Sequence, residues 1–210
     1  MTRSCFAIAL AAAALATSTA CNHSMVVSRP ADHKLDDAYT TMWVKDLRAN
    51  AQDGDLVLRR GYAVLSDVIV TVTGGPAMSH AAIYDGETGT LIDAVSSGVR
   101  EVPADRFINA SHHWMIIRPA NRSAAERRAA VLRARGAIGT GFDFTGFVGL
   151  DDPDRFYCSE LVAWALDVRD DVFLEDVLVA PGELTAVGPV VFDSGERGGR
   201  PTAQVDPYWQ

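Results

Sequence analysis

The feature that most constrains the fold is a series of short apolar runs, most rich in β-branched residues and bounded by Gly, Pro, Asn or Asp. Runs of this length and composition predict β-strands. We therefore expect strands at 55–59, 67–73, 80–84, 90–95 and 113–118. The Asp85-Gly86 pair between the third and fourth runs favours a hairpin, which would place strand 80–84 beside strand 90–95.

Helical patterns lie on both sides of this β-rich region. Apolar residues at helical spacing predict a helix from Leu35 to about residue 50. Ser123 and Glu126 have the spacing of a capping box and predict a helix to about residue 135. A third helix is expected over 158–166, with its apolar residues on one face, and shorter strand-like runs follow at 177–179 and 189–192. These elements predict an α+β chain in which an antiparallel sheet packs against helices.

The N-terminus has the pattern of an export signal. Arg3 precedes an apolar run over 6–16, which is too short to span a bilayer, so residues 1–20 are predicted to be a secretory signal peptide. The small residues before Cys21 resemble the lipobox of bacterial lipoproteins, which predicts acylation of that cysteine. An ordinary signal-peptidase site near Ala20 is the alternative and would give a soluble periplasmic protein. Both interpretations export the chain.

The remainder of the chain is interpreted as one unit behind a tether. Residues 21–34 are polar and lack periodicity, so they are expected to form a lipid-anchored or flexible tether before a single domain over 35–210. Asp and Glu together number 27 against 19 Lys and Arg, which gives a net charge of −8 with no basic run. This charge pattern argues against a nucleic-acid partner.

The three cysteines fall into different chemical settings. Cys5 lies in the predicted signal peptide and Cys21 at the predicted lipidation site, which leaves Cys158 as a single free thiol and predicts no disulfide. Cys158 opens a predicted helix, where the partial positive charge of free N–H groups lowers the pKa of a thiol. It is a candidate nucleophile. The alternative is a buried, inert thiol.

A thiol nucleophile needs a histidine as base and acid, and His80 is the strongest candidate because it opens a strand directly after a loop. Asp93 interrupts an apolar run on the strand that the hairpin places beside His80, so it is a candidate to orient the imidazole. By strand alternation Asp93 could instead face solvent. The neighbours His112 and His113 would point to opposite faces of a strand, and no zinc-ligand spacing is present, so we expect no metal and no cofactor.

Several strings together resemble a known family. They are Gly54-Asp55-Leu56-Val57-Leu58, Ser79-His80-Ala81-Ala82-Ile83-Tyr84, Leu91-Ile92-Asp93-Ala94, Phe142-Asp143-Phe144 and Phe156-Tyr157-Cys158-Ser159-Glu160-Leu161-Val162. Over residues 53–166 the chain resembles the circularly permuted papain-like cysteine hydrolases of the YiiX and YaeF type, relatives of NlpC-type peptidases and of lecithin-retinol acyltransferase. The resemblance implies a permuted papain-like fold.

The same resemblance implies roles for three residues: Cys158 as nucleophile, His80 as general base and acid, and Asp93 as the third polar residue. Glu160 is interpreted as a helix-start or structural group. The predicted function is an exported cysteine hydrolase, an amidase or peptidase or a lipid amide or ester hydrolase. It would act through a thioester on an envelope peptide, amide or lipid. Two alternatives are an acyltransferase with the same triad and a non-catalytic envelope lipoprotein that uses the groove for binding.

Overall fold

The computed structural model describes residues 27–73, 76–146, 152–168 and 178–198. The predicted signal peptide, Cys5 and Cys21 lie outside the described residues, and so does residue 177. The elements follow the order α1 His33–Asn50, β1 Leu56–Gly61, α2 Val64–Val72, β2 His80–Asp85, β3 Thr90–Val95, β4 Gly98–Pro103, α3 Ala104–Asn109, β5 Ser111–Ile117, α4 Ala124–Gly136, α5 Cys158–Leu166, a 3₁₀ helix Pro181–Val187 and β6 Val190–Asp193.

The strands form one antiparallel sheet in the order β4-β3-β2-β1-β5-β6. The predicted hairpin is confirmed: β2 and β3 are neighbours, with Ala82 opposite Asp93. In the next pair of strands Asp93 lies opposite Arg100, and across β1 and β2 Arg59 lies opposite His80. The α+β class with an antiparallel sheet is therefore confirmed.

Each face of the sheet has its own apolar core, because side chains alternate between the faces along every strand. On one face, residues such as Leu58 and Ile83 pack against α4 and α5. On the other face, Trp114 packs with Trp43 of α1 and Phe107 of α3. The sheet is thus covered by helices on both sides, and α5 is held against the strands that carry His80 and Asp93.

The predicted helices are confirmed, and their first turns show why they start where they do. The Asp32 side chain caps α1 by accepting from the backbone N–H groups of Lys34 and Leu35. In the predicted capping box, Ser123 N donates to Glu126 Oε2 at 2.7 Å and Glu126 N donates to Ser123 Oγ at 3.3 Å. None of the helices in the described ranges combines the length and the hydropathy that crossing a bilayer requires.

The strand predicted at 67–73 is wrong, since α2 occupies Val64–Val72. The physical reason is that β1 already has β2 and β5 as neighbours and β2 has β1 and β3, so the segment between β1 and β2 finds no free strand edge beside it. A helix satisfies its own backbone hydrogen bonds instead. Residues 178–179 of the run predicted at 177–179 are not a strand either, whereas the run predicted at 189–192 is confirmed as β6.

Asp36 on α1 joins the first and last described segments. Its Oδ2 accepts from Arg29 Nη1 at 2.9 Å, and its Oδ1 accepts from Arg197 Nη1 at 2.8 Å. Arg197 is buried and also donates to the carbonyl oxygens of Ile108 and Ser111. One carboxylate on α1 therefore holds residues 29 and 197 side by side.

Candidate active site

Cys158 is the first residue of α5, and hydrogen bonds on both sides of it fix the start of that helix. Tyr157 N donates to Glu160 Oε2 at 3.1 Å, which confirms the structural role predicted for Glu160. Ser159 Oγ donates to the carbonyl oxygen of Val179 at 2.7 Å, and Val179 N donates to Tyr157 Oη at 3.0 Å. Cys158 is buried and carries a free thiol.

His80 and Asp93 meet across the hairpin predicted from the sequence. His80 Nε2 lies 2.9 Å from Asp93 Oδ2. Asp93 does not face solvent, because it is only 1% exposed. Its second oxygen, Oδ1, accepts from Arg100 Nε at 2.9 Å. The carboxylate is therefore held between a histidine and an arginine, which fixes its orientation toward the imidazole.

Cys158 lies close enough to His80 for the charge of the thiolate to raise the pKa of the imidazole. Because Nε2 faces Asp93, Nδ1 is the ring nitrogen that is left to exchange a proton with the thiol. Burial raises the pKa of the Cys158 thiol, but the charge of His80, the hydrogen bond to it and the backbone N–H of Ala81 outweigh burial and lower this pKa overall. Proximity of opposite charges therefore favours the thiolate.

The pKa of His80 moves in the opposite direction. Burial lowers this pKa, while the charge of Cys158 and the hydrogen bond to Asp93 raise it, and the net change is upward. The pKa of Asp93 is lowered: burial opposes the change, but the hydrogen bond and the charge of His80 outweigh it. All three directions favour a thiolate and imidazolium pair backed by a carboxylate, an arrangement that can supply a nucleophile and a proton donor.

Two buried aspartates in the motifs hold backbone segments, one before α5 and one at the start of β1. Asp143 Oδ1 accepts from Thr145 N at 2.8 Å and Gly146 N at 2.9 Å, in the stretch that leads toward α5. Asp55 accepts from Arg118 at both oxygens, with Nε to Oδ1 at 3.1 Å and Nη2 to Oδ2 at 2.8 Å. A bidentate pair of this kind is geometrically specific. The Gly-Asp-Leu and Phe-Asp-Phe strings therefore have structural roles.

A family model described as permuted papain-like amidase, YaeF/YiiX, C92 family, matches residues 50–199. The chain belongs to this family. It is therefore a cysteine hydrolase with the papain-like fold in permuted order. Among solved structures it is similar to the metalloprotein YiiX from Escherichia coli O157:H7, at 18% identity and a TM-score of 0.47, over 59% of this chain and 68% of that one. Comparison with curated protein sequences gives no match.

Sequence reasoning missed two arginines that lie next to His80 and Asp93 in this permuted papain-like hydrolase. Arg59 Nη1 donates to the Ala110 carbonyl oxygen at 2.8 Å, and its guanidinium lies 4.9 Å from the centre of the Phe107 ring. Burial lowers the pKa of Arg59, while the charges of Asp93 and Cys158 act in the opposite direction. The signal that would have identified Arg59 as a neighbour of the site is the register of β1 and β2, in which Arg59 lies opposite His80. Arg100 was missed because β4 itself was not predicted.

The other histidines of the amidase are not brought to the site. His112 and His113 both lie inside β5. His113 Nε2 lies 2.6 Å from Asp193 Oδ1, which forms a second His-Asp pair. His33 is the first residue of α1, and His23 lies outside the described residues. Within the described ranges, no group of three or more His, Cys, Asp or Glu side chains is arranged to hold a metal ion.

Proposed function

We propose that this permuted papain-like amidase cleaves a carbonyl–nitrogen bond with Cys158 as nucleophile, His80 as general base and acid, and Asp93 as the residue that orients the imidazole. The observation that supports it is the position of His80. Its Nε2 is hydrogen-bonded to a buried carboxylate, and its charge interaction with Cys158 raises the pKa of His80 and lowers the pKa of the thiol. Structural cysteines that are merely buried have raised pKa values instead.

The reaction proceeds by acyl transfer. The Cys158 thiolate adds to the carbonyl carbon, and the oxygen takes the electron pair of the C=O bond as an oxyanion. When this tetrahedral intermediate collapses, the C–N bond breaks, His80 gives its proton to the leaving nitrogen, and the acyl group remains on sulfur as a thioester. Water then adds to the thioester and passes a proton to His80, and the carboxylic acid leaves as the thiolate is restored.

The start of α5 is suited to stabilise the oxyanion. Backbone N–H groups in the first turn of a helix lack partners within the helix and point their partial positive charge outward. Cys158 is the first residue of α5, so the oxygen of a carbonyl attacked by its sulfur comes close to these groups. Fixed donors of this kind stabilise charge that develops in the transition state more than they stabilise the substrate.

Alkylation of Cys158 by iodoacetamide tests the proposal. The folded wild-type protein gains one label, which mass spectrometry of the peptide places on Cys158. His80→Ala slows labelling by about a hundredfold, because the thiolate loses its counter-charge. The matched control is His113→Ala, which removes a histidine of the second His-Asp pair and leaves the labelling rate unchanged. A folded protein that takes label on Cys158 only after denaturant is added contradicts the proposal.

The proposal extends to the place of action. We propose that the chain is exported, that Cys21 is acylated after cleavage in front of it, and that the substrate is a peptide, amide or lipid of the cell envelope. The pattern of residues 1–20 supports export. The intact mass of the protein extracted from membranes then corresponds to a chain that starts at Cys21 and carries acyl and glyceryl groups. A periplasmic chain that starts elsewhere without added mass contradicts acylation.

A further inference from the structure

Helix α2 is an apolar helix on the outside of the molecule. Six of its nine residues are aliphatic, and it contributes no residue to the buried core. Val64 is 78% exposed, Leu65 66%, Val68 49% and Val72 74%. Isolated exposed aliphatic residues are ordinary, but adjacent ones that form the face of a helix are characteristic of a surface that binds something.

The segment that contains α2 is poor in charged residues as well as rich in apolar ones. From Gly61 to Ser79 the chain contains no Lys, Arg or Glu and one acidic residue, Asp67. Asp67 is paired with Arg60 and is largely covered. A surface without free charge is costly to keep in water and is suited to an environment without water.

The same helix borders the candidate active site. It connects β1, which carries Arg59, to β2, which begins with His80. At Gly61, where β1 leads into α2, a Cβ atom would meet Ser66 Oγ of α2 at 2.8 Å and Nη1 of Arg59 at 3.2 Å. One end of α2 is therefore packed beside the arginine that lies opposite the candidate base.

The N-terminal end of the described chain arrives at this same place. The Arg29 guanidinium lies 5.1 Å from the centre of the Tyr62 ring, and Tyr62 is two residues before α2. Cys21 is eight residues before Arg29. A fully extended chain of eight residues is at most about 28 Å long. An acyl chain on Cys21 is therefore tethered within reach of α2, whose own length is about 13 Å.

We propose that α2 lies on the lipid surface in which Cys21 is anchored, with Val64, Leu65, Val68 and Val72 in contact with the bilayer. This inference rests on the acylation of Cys21 in the proposed function and is independent of the triad. The anchor holds the protein at the membrane, and α2 fixes its orientation there. The end of the sheet at which β1 stops and β2 starts carries the candidate active site, and this end then faces the lipid.

The binding energy comes from apolar contact, because α2 has no cation to attract lipid phosphates and the chain carries a net charge of −8. The helix therefore binds zwitterionic vesicles, and binding does not weaken when the salt concentration rises. An electrostatically bound protein behaves in the opposite way, since salt screens its attraction to anionic lipids.

The test is flotation of the chain from Asn22 to Gln210, which lacks the lipid and keeps all described residues, with phosphatidylcholine vesicles. Leu65→Ser with Val68→Ser is expected to reduce the partition coefficient by about tenfold or more. The matched control is Leu132→Ser with Ile138→Ser, because these two aliphatic residues are 54% and 41% exposed outside α2. The control pair leaves partition unchanged. The rate of Cys158 alkylation in each variant verifies that the fold is intact.

Several results would overturn the inference. One is that the wild-type chain does not float with vesicles, and another is that both double variants lose the same affinity. A third is a dimer in sedimentation velocity that the α2 variant dissociates, because a second copy then covers the helix. Cys158→Ala floats like the wild type if the inference holds. Loss of thiol reactivity with intact flotation refutes only the proposed triad. An intact mass without acyl groups overturns the anchored arrangement, even where the chain from Asn22 still floats.

Discussion

Replacement of Asp93 by asparagine keeps the shape of the side chain and removes its charge, so it tests the orientation of His80 directly. Arg100 Nε donates to Oδ1 of the carboxylate, so the carbonyl oxygen of the amide keeps that position. The amide nitrogen then occupies the place of Oδ2, 2.9 Å from His80 Nε2. Because an amide nitrogen is only a donor, His80 can no longer carry protons on both ring nitrogens. The pKa of His80 falls and the pKa of the Cys158 thiol rises.

The size of the effect follows from the lost bond. A hydrogen bond to a charged group contributes about 1.5–3 kcal/mol, and about 1.4 kcal/mol corresponds to a factor of ten. Asp93→Asn therefore slows alkylation of Cys158 about ten- to hundredfold at neutral pH and moves the rise of the pH–rate profile to higher pH. The measurement is the iodoacetamide rate from about pH 5 to pH 9, which spans the thiolate range.

The control for this experiment lies in the same protein. Asp193→Asn makes the same chemical change in the His113–Asp193 pair, where the two atoms are 2.6 Å apart. It is expected to leave the rate and the profile unchanged. Equal rates for wild type and Asp93→Asn at all pH values would refute the orienting role of Asp93.

Three further predictions concern the site and the backbone. Cys158→Ala removes a negative charge that raises the pKa of His80, so the NMR titration of that ring moves to lower pH; an unchanged titration contradicts the ion pair. Arg100→Gln slows alkylation only several-fold, since Arg100 is partly exposed and acts through Asp93. Gly54→Ala lowers the free energy of unfolding in urea by about 2 kcal/mol or more. The backbone φ at Gly54 is +76°, and the new Cβ would lie 2.6 Å from a carbonyl oxygen of α4. Gly136→Ala meets nothing within 4 Å and serves as its control.

Much of the sheet was predictable because its signals are local. The Asp-Gly turn after β2 fixes which strands pair, and the Ser123–Glu126 box marks the start of α4 without knowledge of the tertiary structure. The same locality places His80 and Asp93 on neighbouring strands. Predicting that Cys158 lies beside this pair required the family resemblance, since no short-range sequence pattern indicates where α5 packs.

The errors have a different physical origin. Residues 67–73 have the composition of a strand, but strand formation depends on an available neighbour, and the central positions of the sheet are filled. β4 was missed because Arg100 and Glu101 interrupt its apolar residues, which is ordinary for a strand at the edge of a sheet. The contribution of Arg100 to the site depends on that edge strand and was invisible for the same reason.

The carboxylate of Asp36, which holds Arg29 and Arg197 together, bears on how this fold can exist in permuted order. When the two ends of a domain lie side by side, they can be joined by a short link and the chain can be opened elsewhere without moving any core element. The His-Asp pair and the cysteine reside on separate parts of the chain, β2 with β3 and α5. The geometry of the site therefore does not depend on which of these two parts comes first along the chain. The site requires the packing of α5 against the hairpin of β2 and β3, and it does not require a particular order of these segments along the chain.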